Sequence, residues 1–184
     1  MYSCNFYMIY KQKSIVVGFI DGKKFFFLLG FLFCLSIPSF SATYYSRANA
    51  NWNVASTWST DGVLQCAGAA AAGVPGAGDD IVICNTYTVT VTASTTVRKI
   101  TVNAGGVVSI NTLITLAVSP NAAFSSQTSS NAGTIEGLGT FQVKSIAAST
   151  NTLNNTGTIS CATFNYSATL SIITVNNNAG GVFS

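Results

Sequence analysis

The chain repeats a short asparagine–glycine phrase at nearly constant intervals. The copies begin at Asn103, Asn131, Asn155 and Asn178, so they recur after 28, 24 and 23 residues. A period of about 20 to 50 residues is typical of stacked or radially repeated architectures, in which each repeat packs against its neighbours. The repeated phrase therefore argues against a single globular core. The fold then depends on which structure one repeat adopts.

Each interval between the phrases is built from strand and turn signals. β-branched and aromatic runs are separated by Gly, Asn and Ser, which favour tight corners. The longest alternating run covers residues 81–91 and predicts one strand, with Ile81 and Val91 on the same face. After Ala42, no segment of about ten residues shows apolar residues at helical spacing. The sequence predicts an all-β fold.

A repeat of about 25 residues with two or three short strands fits one coil of a parallel β-helix, or β-solenoid. We expect inward Val, Ile, Leu and Phe to form a continuous apolar column, and outward Thr, Ser and Asn to form rows that face water. The alternative is a β-sandwich, which also has a strand about every 8 to 12 residues. The predicted domains are an N-terminal cap with the first strands over residues 42–92 and solenoid repeats over residues 93–184. The last phrase closes the sequence in mid-repeat, so we expect a fragment of a longer protein.

The N-terminal segment has the order of a secretory signal peptide. Two lysines precede an apolar run over residues 25–37, and small residues follow just before Ala42. This order predicts a signal peptide over residues 1–41. The apolar run is too short to cross the hydrocarbon core of a bilayer, which is about 30 Å thick. We therefore expect a secreted or cell-surface protein with no membrane span in the mature chain.

The charged residues indicate no reaction chemistry. After residue 41 the chain has four basic and four acidic residues, and this neutral balance predicts no nucleic-acid partner. The chain has no His, which excludes His-dependent nucleophiles and Cys/His metal sites. Asp79 and Asp80 are adjacent, but neighbours on a strand point to opposite faces, and Asp79 is expected to accept backbone N–H groups in its own turn. We expect no catalytic residues, no metal site and no cofactor.

Three cysteines follow residue 41, namely Cys66, Cys84 and Cys161. Export permits disulfide formation. Cys66 and Cys84 flank the same Ala/Gly-rich loop, so they are the expected pair. The alternative is that these cysteines are buried free thiols.

Both tryptophans, Trp52 and Trp58, precede the repeats. The first coil of a stack needs a cover for its apolar end and its strand edges. Two indole rings can bury the large area that such a cover requires. The alternative interpretation is an aromatic platform that stacks on a sugar ring, and it would make an extracellular glycan or surface the partner.

The residues around the second tryptophan also carry a resemblance. A Trp-x5-Trp pair is followed by a Pro-x-x-Gly-Asp turn, a Val-x-Ile-type strand and Tyr-x-Val-x-Val. The matching residues, with one extra residue allowed, are Trp58, Pro75, Gly78, Asp79, Val82, Ile83, Tyr87, Val89 and Val91. Residues 43–110 resemble the opening of the β-helical, glycine-rich domains in exported, adhesin-like surface proteins of Bacteroidetes. They are also similar to the start of the G8 domain, a glycine-rich extracellular module. The resemblance carries over no catalytic residue.

The sequence-based expectation is a non-catalytic, exported structural or adhesive scaffold, the N-terminal fragment of a longer cell-surface or secreted β-helix protein. One alternative is the N-terminal, non-catalytic part of a carbohydrate-active β-helix enzyme. The other is a carbohydrate-binding module that uses Trp52 or Trp58.

Overall fold

The computed structural model describes residues 41–120 and 125–184, which form a stack of parallel β coils with about four turns. The predicted β-solenoid is therefore confirmed. The predicted signal peptide over residues 1–41 lies outside the described residues, except for Ser41. Within the described ranges, no helix is both long enough and apolar enough to cross a bilayer.

The described strands are short at the start of the stack, longest at the eleventh and thirteenth, and short again at the last. In chain order they are β1 (Thr43–Ser46), β2 (Ala50–Asn51), β3 (Trp58–Ser59), β4 (Asp80–Ile83), β5 (Thr88–Val91), β6 (Thr95–Val97), β7 (Lys99–Val102), β8 (Val107–Ile110), β9 (Thr115–Val118), β10 (Ser126–Asn131), β11 (Thr134–Ser145), β12 (Thr150–Asn155), β13 (Thr158–Ala168), β14 (Ile172–Asn177) and β15 (Val182–Phe183). Two 3₁₀ turns, Ala55–Thr57 and Gln65–Ala67, lie before β4.

The strands line three faces of the stack. The first face stacks β1, β4, β7, β10, β12 and β14, with β3 antiparallel on the outer edge of β1. The second face stacks β2, β5, β8, β11, β13 and β15. On the third face β6 pairs with β9, and β9 pairs with the later part of β11, which continues onto the later part of β13. From β4 onward the chain visits the faces in the same order in each coil. Paired residues of successive coils therefore lie over one another, apart from the register shift in β11 between Gly137 and Thr140.

A continuous apolar column fills the interior, as predicted. On the second face its members are in direct register and are Val89, Val108, Ile135, Ile159 and Phe183. All but the last are buried, because alternate residues of a strand point inward. Burial of each such side chain stabilises the fold by roughly 1.5–3 kcal/mol, so the column is a major source of stability.

The predicted single strand over residues 81–91 is wrong. The structure has two strands, β4 and β5, separated by a corner in which Thr86 adopts a φ of +69°. Ile83 and Val89, on either side of the corner, are both buried. The inward positions keep the same parity across the turn, and the period-2 pattern therefore continues through a change of direction.

The stack begins earlier than residue 93. β1 pairs in parallel with β4, and β2 pairs in parallel with β5, so the first strands already belong to the coils. What lies outside the parallel stack is β3 together with the loop of residues 60–79. We call β3 and this loop the lid.

Candidate functional site

The two tryptophans form the apolar base of the lid. Trp52 is 3% exposed and Trp58 is 0% exposed, and their ring centroids lie 4.8 Å apart in an edge-to-face arrangement. The Trp58 indole Nε1 donates a hydrogen bond to the carbonyl oxygen of Trp52 at 2.7 Å. The alternative prediction of a sugar-stacking platform is therefore wrong, because neither ring presents a free face. The tryptophans instead fill the interior at the start of the stack.

A disulfide ties the lid to the first face. The bond joins Cys66 in the lid loop to Cys84, which is buried directly after β4, and the Cα atoms lie 6.2 Å apart. This is the pair that the sequence favours. It closes a loop of 18 residues in sequence separation, for which chain entropy predicts a stabilisation of about 3 kcal/mol. Cys161 is a free, half-buried thiol on β13.

The adjacent acids Asp79 and Asp80 have structural partners. The Asp79 carboxylate accepts the backbone N–H groups of Ala42 at 3.1 Å and Gly76 at 2.9 Å, as predicted for this turn. The Asp80 carboxylate accepts two hydrogen bonds from the Arg98 guanidinium, at 2.8 and 2.6 Å. The Asp79 carboxylate thus holds the turn at the end of the lid loop, and the Asp80 carboxylate binds the neighbouring coil. The two carboxylates do not converge on a common point.

Asp61 in the lid loop and Tyr44 on β1 have shifted pKa values. The Asp61 carboxylate accepts the backbone N–H groups of Leu64 and Val63, and these hydrogen bonds lower its pKa. Burial raises the pKa of Tyr44, and the nearby charge of Asp79 adds to that effect. Within residues 41–120 and 125–184, no group of three or more His, Cys, Asp or Glu side chains is placed to hold a metal ion.

The asparagine–glycine phrases form one stacked corner. The residue that follows each phrase is in direct parallel register with its equivalent in the next coil. These residues are Val107, Thr134, Thr158 and Val182. Close stacking requires glycine here: a Cβ on Gly157 would collide with the backbone carbonyl of Gly133 below it.

Three asparagines at this corner form a ladder through successive coils. Asn131, Asn155 and Asn177 are in register, and we call them the asparagine ladder. The Asn131 Nδ2 donates to the Asn155 Oδ1 at 2.8 Å, and the Asn155 Nδ2 donates to the Asn177 Oδ1 at 2.8 Å. Asn131 is 1% exposed and Asn155 is 0% exposed, whereas Asn177 is exposed, so the first two members of the ladder lie in the interior.

Each buried ladder amide makes a second bond in the same direction. Asn131 Nδ2 also donates to the Thr158 carbonyl at 3.0 Å, and Asn155 Nδ2 also donates to the Val182 carbonyl at 3.4 Å. Both acceptors lie in the coil that follows. A buried amide is costly without partners, so a coil shifted by one residue would lose these bonds. The ladder therefore fixes the register between coils.

The expectation that asparagines face outward is wrong for the ladder. Asn131 and Asn155 are buried, whereas Asn154 and Asn176 do lie on the outer surface, where Asn176 Nδ2 donates to Asn154 Oδ1 at 2.8 Å. Strand parity is enough to predict the burial of Asn155. The buried Leu153 lies two residues earlier on the same strand, so both side chains point to the same face. The first phrase also differs in register, since Val102 and not Asn103 lies over Asn131.

The outer surface carries rows of neutral polar side chains. On the first face one row consists of Thr101, Ser130, Asn154 and Asn176. On the third face a row consists of Thr115, Thr140 and Thr163. On the second face Glu136 interrupts a row of hydroxyl groups, between Ser109 and Ser160. These rows offer many hydrogen-bonding groups and little net charge.

A shallow depression marks the one corner where β11 is irregular. The register between β11 and β13 shifts between Gly137 and Thr140, and Gly137 has a φ of +116°. The depression has a volume of about 380 Å³ and is lined by Ser109, Ile110, Asn111, Thr112, Gly137 and Leu138. A second depression of about 210 Å³ lies on the third face, where Lys144 adjoins Thr and Ser side chains. Neither contains a pair of carboxylates.

No known protein family matches the sequence, and neither a curated protein nor a solved structure is significantly similar to it.

Proposed function

We propose that the chain is a non-catalytic, exported scaffold of a cell-surface or secreted protein. The observation that carries this proposal is the continuous stack itself: one apolar column and one asparagine ladder run through successive coils. In such an array each coil is stabilised by the coils beside it, so length can be added without a new core. A scaffold needs this property, because it holds other groups at a distance.

The lid and the outer rows support the same role. The start of the stack is covered by β3 and by a loop that the Cys66–Cys84 disulfide restrains. Disulfides persist in oxidising compartments, which agrees with an exported chain. Neutral Thr, Ser and Asn rows provide a hydrogen-bonding surface suited to adhesion without strong electrostatic attraction. The glycan-binding alternative based on Trp52 and Trp58 loses its support, because both rings are buried.

Export can be tested with the full chain carrying a C-terminal epitope tag in a Gram-negative host. We expect the tag outside the cytoplasm and a mature N-terminus at Ala42. The matched control replaces two residues of the apolar run, Leu28→Arg and Leu29→Arg, and should remain in the cytoplasm uncleaved. A wild-type chain that stays in the cytoplasm with residues 1–41 attached would contradict the proposal.

The scaffold role can be tested on the purified exported chain. We expect limited proteolysis under non-reducing conditions to leave one fragment that retains both the lid and β14. Incubation with a panel of polysaccharides should release no new reducing ends. Reducing ends released by the pure chain would contradict a passive role.

A further inference from the structure

The depression on the third face combines one cation with several hydroxyl groups. Its volume is about 210 Å³, and its lining residues come from the third face and the corner before β6; they are Ser94, Thr95, Thr96, Thr115, Ala117 and Lys144. Ala117 pairs in register with Thr96 of the coil before and with Gln142 of the coil after. Its side chain is a single methyl group, and this short side chain leaves room between its longer neighbours.

Lys144 has no counterion within the protein. It is half-buried on β11, and the ion pair of the described ranges joins Arg98 to Asp80. The described acids lie in the lid loop, on β4 and on the second face; they are Asp61, Asp79, Asp80 and Glu136. A half-buried charge attracts a counterion more strongly than a fully solvated one, because the effective dielectric constant around it is lower. An anion for Lys144 therefore has to be supplied by a ligand.

The hydroxyl groups of the depression are available to the same ligand. Ser94 Oγ accepts the backbone N–H of Thr115 at 3.0 Å, which leaves the Ser94 O–H free to donate elsewhere. The hydroxyl groups of Thr95, Thr96 and Thr115 make no hydrogen bond in the part of the chain that the structure describes. Each hydroxyl can both donate and accept. The depression thus matches a ligand that carries hydroxyl groups together with an anionic group.

The size of the depression also points to more than an isolated anion. One water in the liquid occupies about 30 Å³, so about 210 Å³ exceeds the space that a single anionic group needs. The lining spans β6, β9 and β11, which are successive layers about 4.8 Å apart. A nucleic acid fits poorly, because Lys144 is the only basic residue on the described strands of this face and phosphate backbones require several.

We propose that this depression binds a sugar unit that bears a carboxylate or sulfate group, as one unit of an acidic polysaccharide. Lys144 Nζ pairs with the anionic group, and the hydroxyl groups of Ser94 and Thr96 bind oxygens of the sugar. The inference deepens the proposed adhesive role and rests on it only for the claim that the ligand is a polymer outside the cell. Because binding is measured on the purified chain, it can fail while the export test succeeds, and the reverse.

The probes are two charged trisaccharides, a trimer of galacturonic acid and a sulfated trimer of galactose. Each is compared with its uncharged counterpart, the methyl ester of the first and the unsulfated form of the second. Binding to the full chain is measured by isothermal titration calorimetry. We expect at least one charged trimer to bind at least ten-fold more tightly than its uncharged counterpart. The tighter of the two charged trimers identifies the anionic group.

Variants of the chain separate the site from general charge effects. Lys144→Gln should weaken binding of the tighter trimer at least ten-fold. The matched control is Lys99→Gln, because Lys99 is also half-buried and without an ion pair but lies on the first face; it should change binding less than two-fold. Thr96→Val should weaken binding at least three-fold, whereas Thr163→Val, on the third face but outside the depression, should change it less than two-fold.

Amide chemical shifts of the unmodified chain give a second measurement that does not depend on the variants. We expect the bound trimer to shift amides of β6 and β9 and to leave those of β14 unchanged. The proposal is overturned if neither charged trimer binds at millimolar concentration, if charged and uncharged trimers bind equally, or if Lys144→Gln and Lys99→Gln weaken binding equally. It is also overturned if triglutamate, which has the carboxylates but no sugar hydroxyl groups, binds as tightly as the trimers, because an acidic peptide would then be the ligand.

Discussion

Removal of the middle amide of the asparagine ladder should destabilise the stack far more than removal of its neighbour. In the Asn155→Ala variant, two hydrogen bonds of 2.8 Å and a weaker one of 3.4 Å to the Val182 carbonyl are lost. Each of the two short bonds contributes about 1 kcal/mol. The buried amide of Asn131 also loses an acceptor, which adds about 1 kcal/mol more. Asn177 is exposed, so water can replace the bond that it loses. The expected loss is about 3 kcal/mol in the free energy of unfolding.

The assay is urea unfolding followed by circular dichroism, and Asn154→Ala is the matched control. Asn154 is on the same strand, but its hydrogen-bond partner Asn176 is exposed. The Asn154→Ala variant should therefore lower the free energy of unfolding by no more than about 0.5 kcal/mol. A triple Leu variant of the whole ladder should be more stable than Asn155→Ala. It removes the ladder's side-chain donors and acceptors together and leaves no orphaned side-chain amide. Equal losses for Asn155→Ala and Asn154→Ala would refute the reasoning, as would a triple variant that is the least stable.

Three further perturbations test the lid, the corner and the base of the lid. Replacing Cys66 and Cys84 by Ala should lower the free energy of unfolding by about 3 kcal/mol, measured by urea unfolding against the oxidised chain; an unchanged midpoint would contradict a restraining role. Gly157→Ala should lower the free energy of unfolding by about 1–3 kcal/mol, because the added Cβ meets backbone atoms. Gly62 has open space around it, so Gly62→Ala should change the free energy of unfolding by less than about 0.5 kcal/mol. Tyr44 has a raised pKa, so its contribution to the free energy of unfolding is complete below the unfolded pKa near 10.0 and is lost as pH rises through the folded pKa. The Tyr44→Phe variant should therefore lose less thermal stability at alkaline pH than the unchanged chain. An equal loss in both would show that other groups cause it.

The repeat period and strand parity were enough to predict the fold class. A β-solenoid needs two kinds of information, a corner at regular intervals and an inward apolar position every second residue, and both are visible along the chain. The lid disulfide also followed from simple reasoning, because Cys66 and Cys84 flank one loop.

Two features were not predicted, because the local residue pattern is the same with and without them. The corner at Thr86 was missed because Ile83 and Val89 keep the same parity on both sides of it. The burial of Asn155 was not predicted, because a polar amide side chain is usually expected on the surface. Only its partners Asn131 and Asn177, more than 20 residues away, make its burial favourable.

The central claim is that successive asparagine–glycine corners lie directly over one another. It can be tested by placing cysteines at Thr134 and Thr158, which are in register on neighbouring coils, in a Cys161→Ser background. Parallel neighbours lie about 4.8 Å apart, within the range that a disulfide spans, so we expect spontaneous oxidation to a cross-link within the chain. The control pair, Thr134 and Asn154, lies on different faces and should stay reduced. Failure of the Thr134–Thr158 pair to cross-link while the control pair does would contradict the stack.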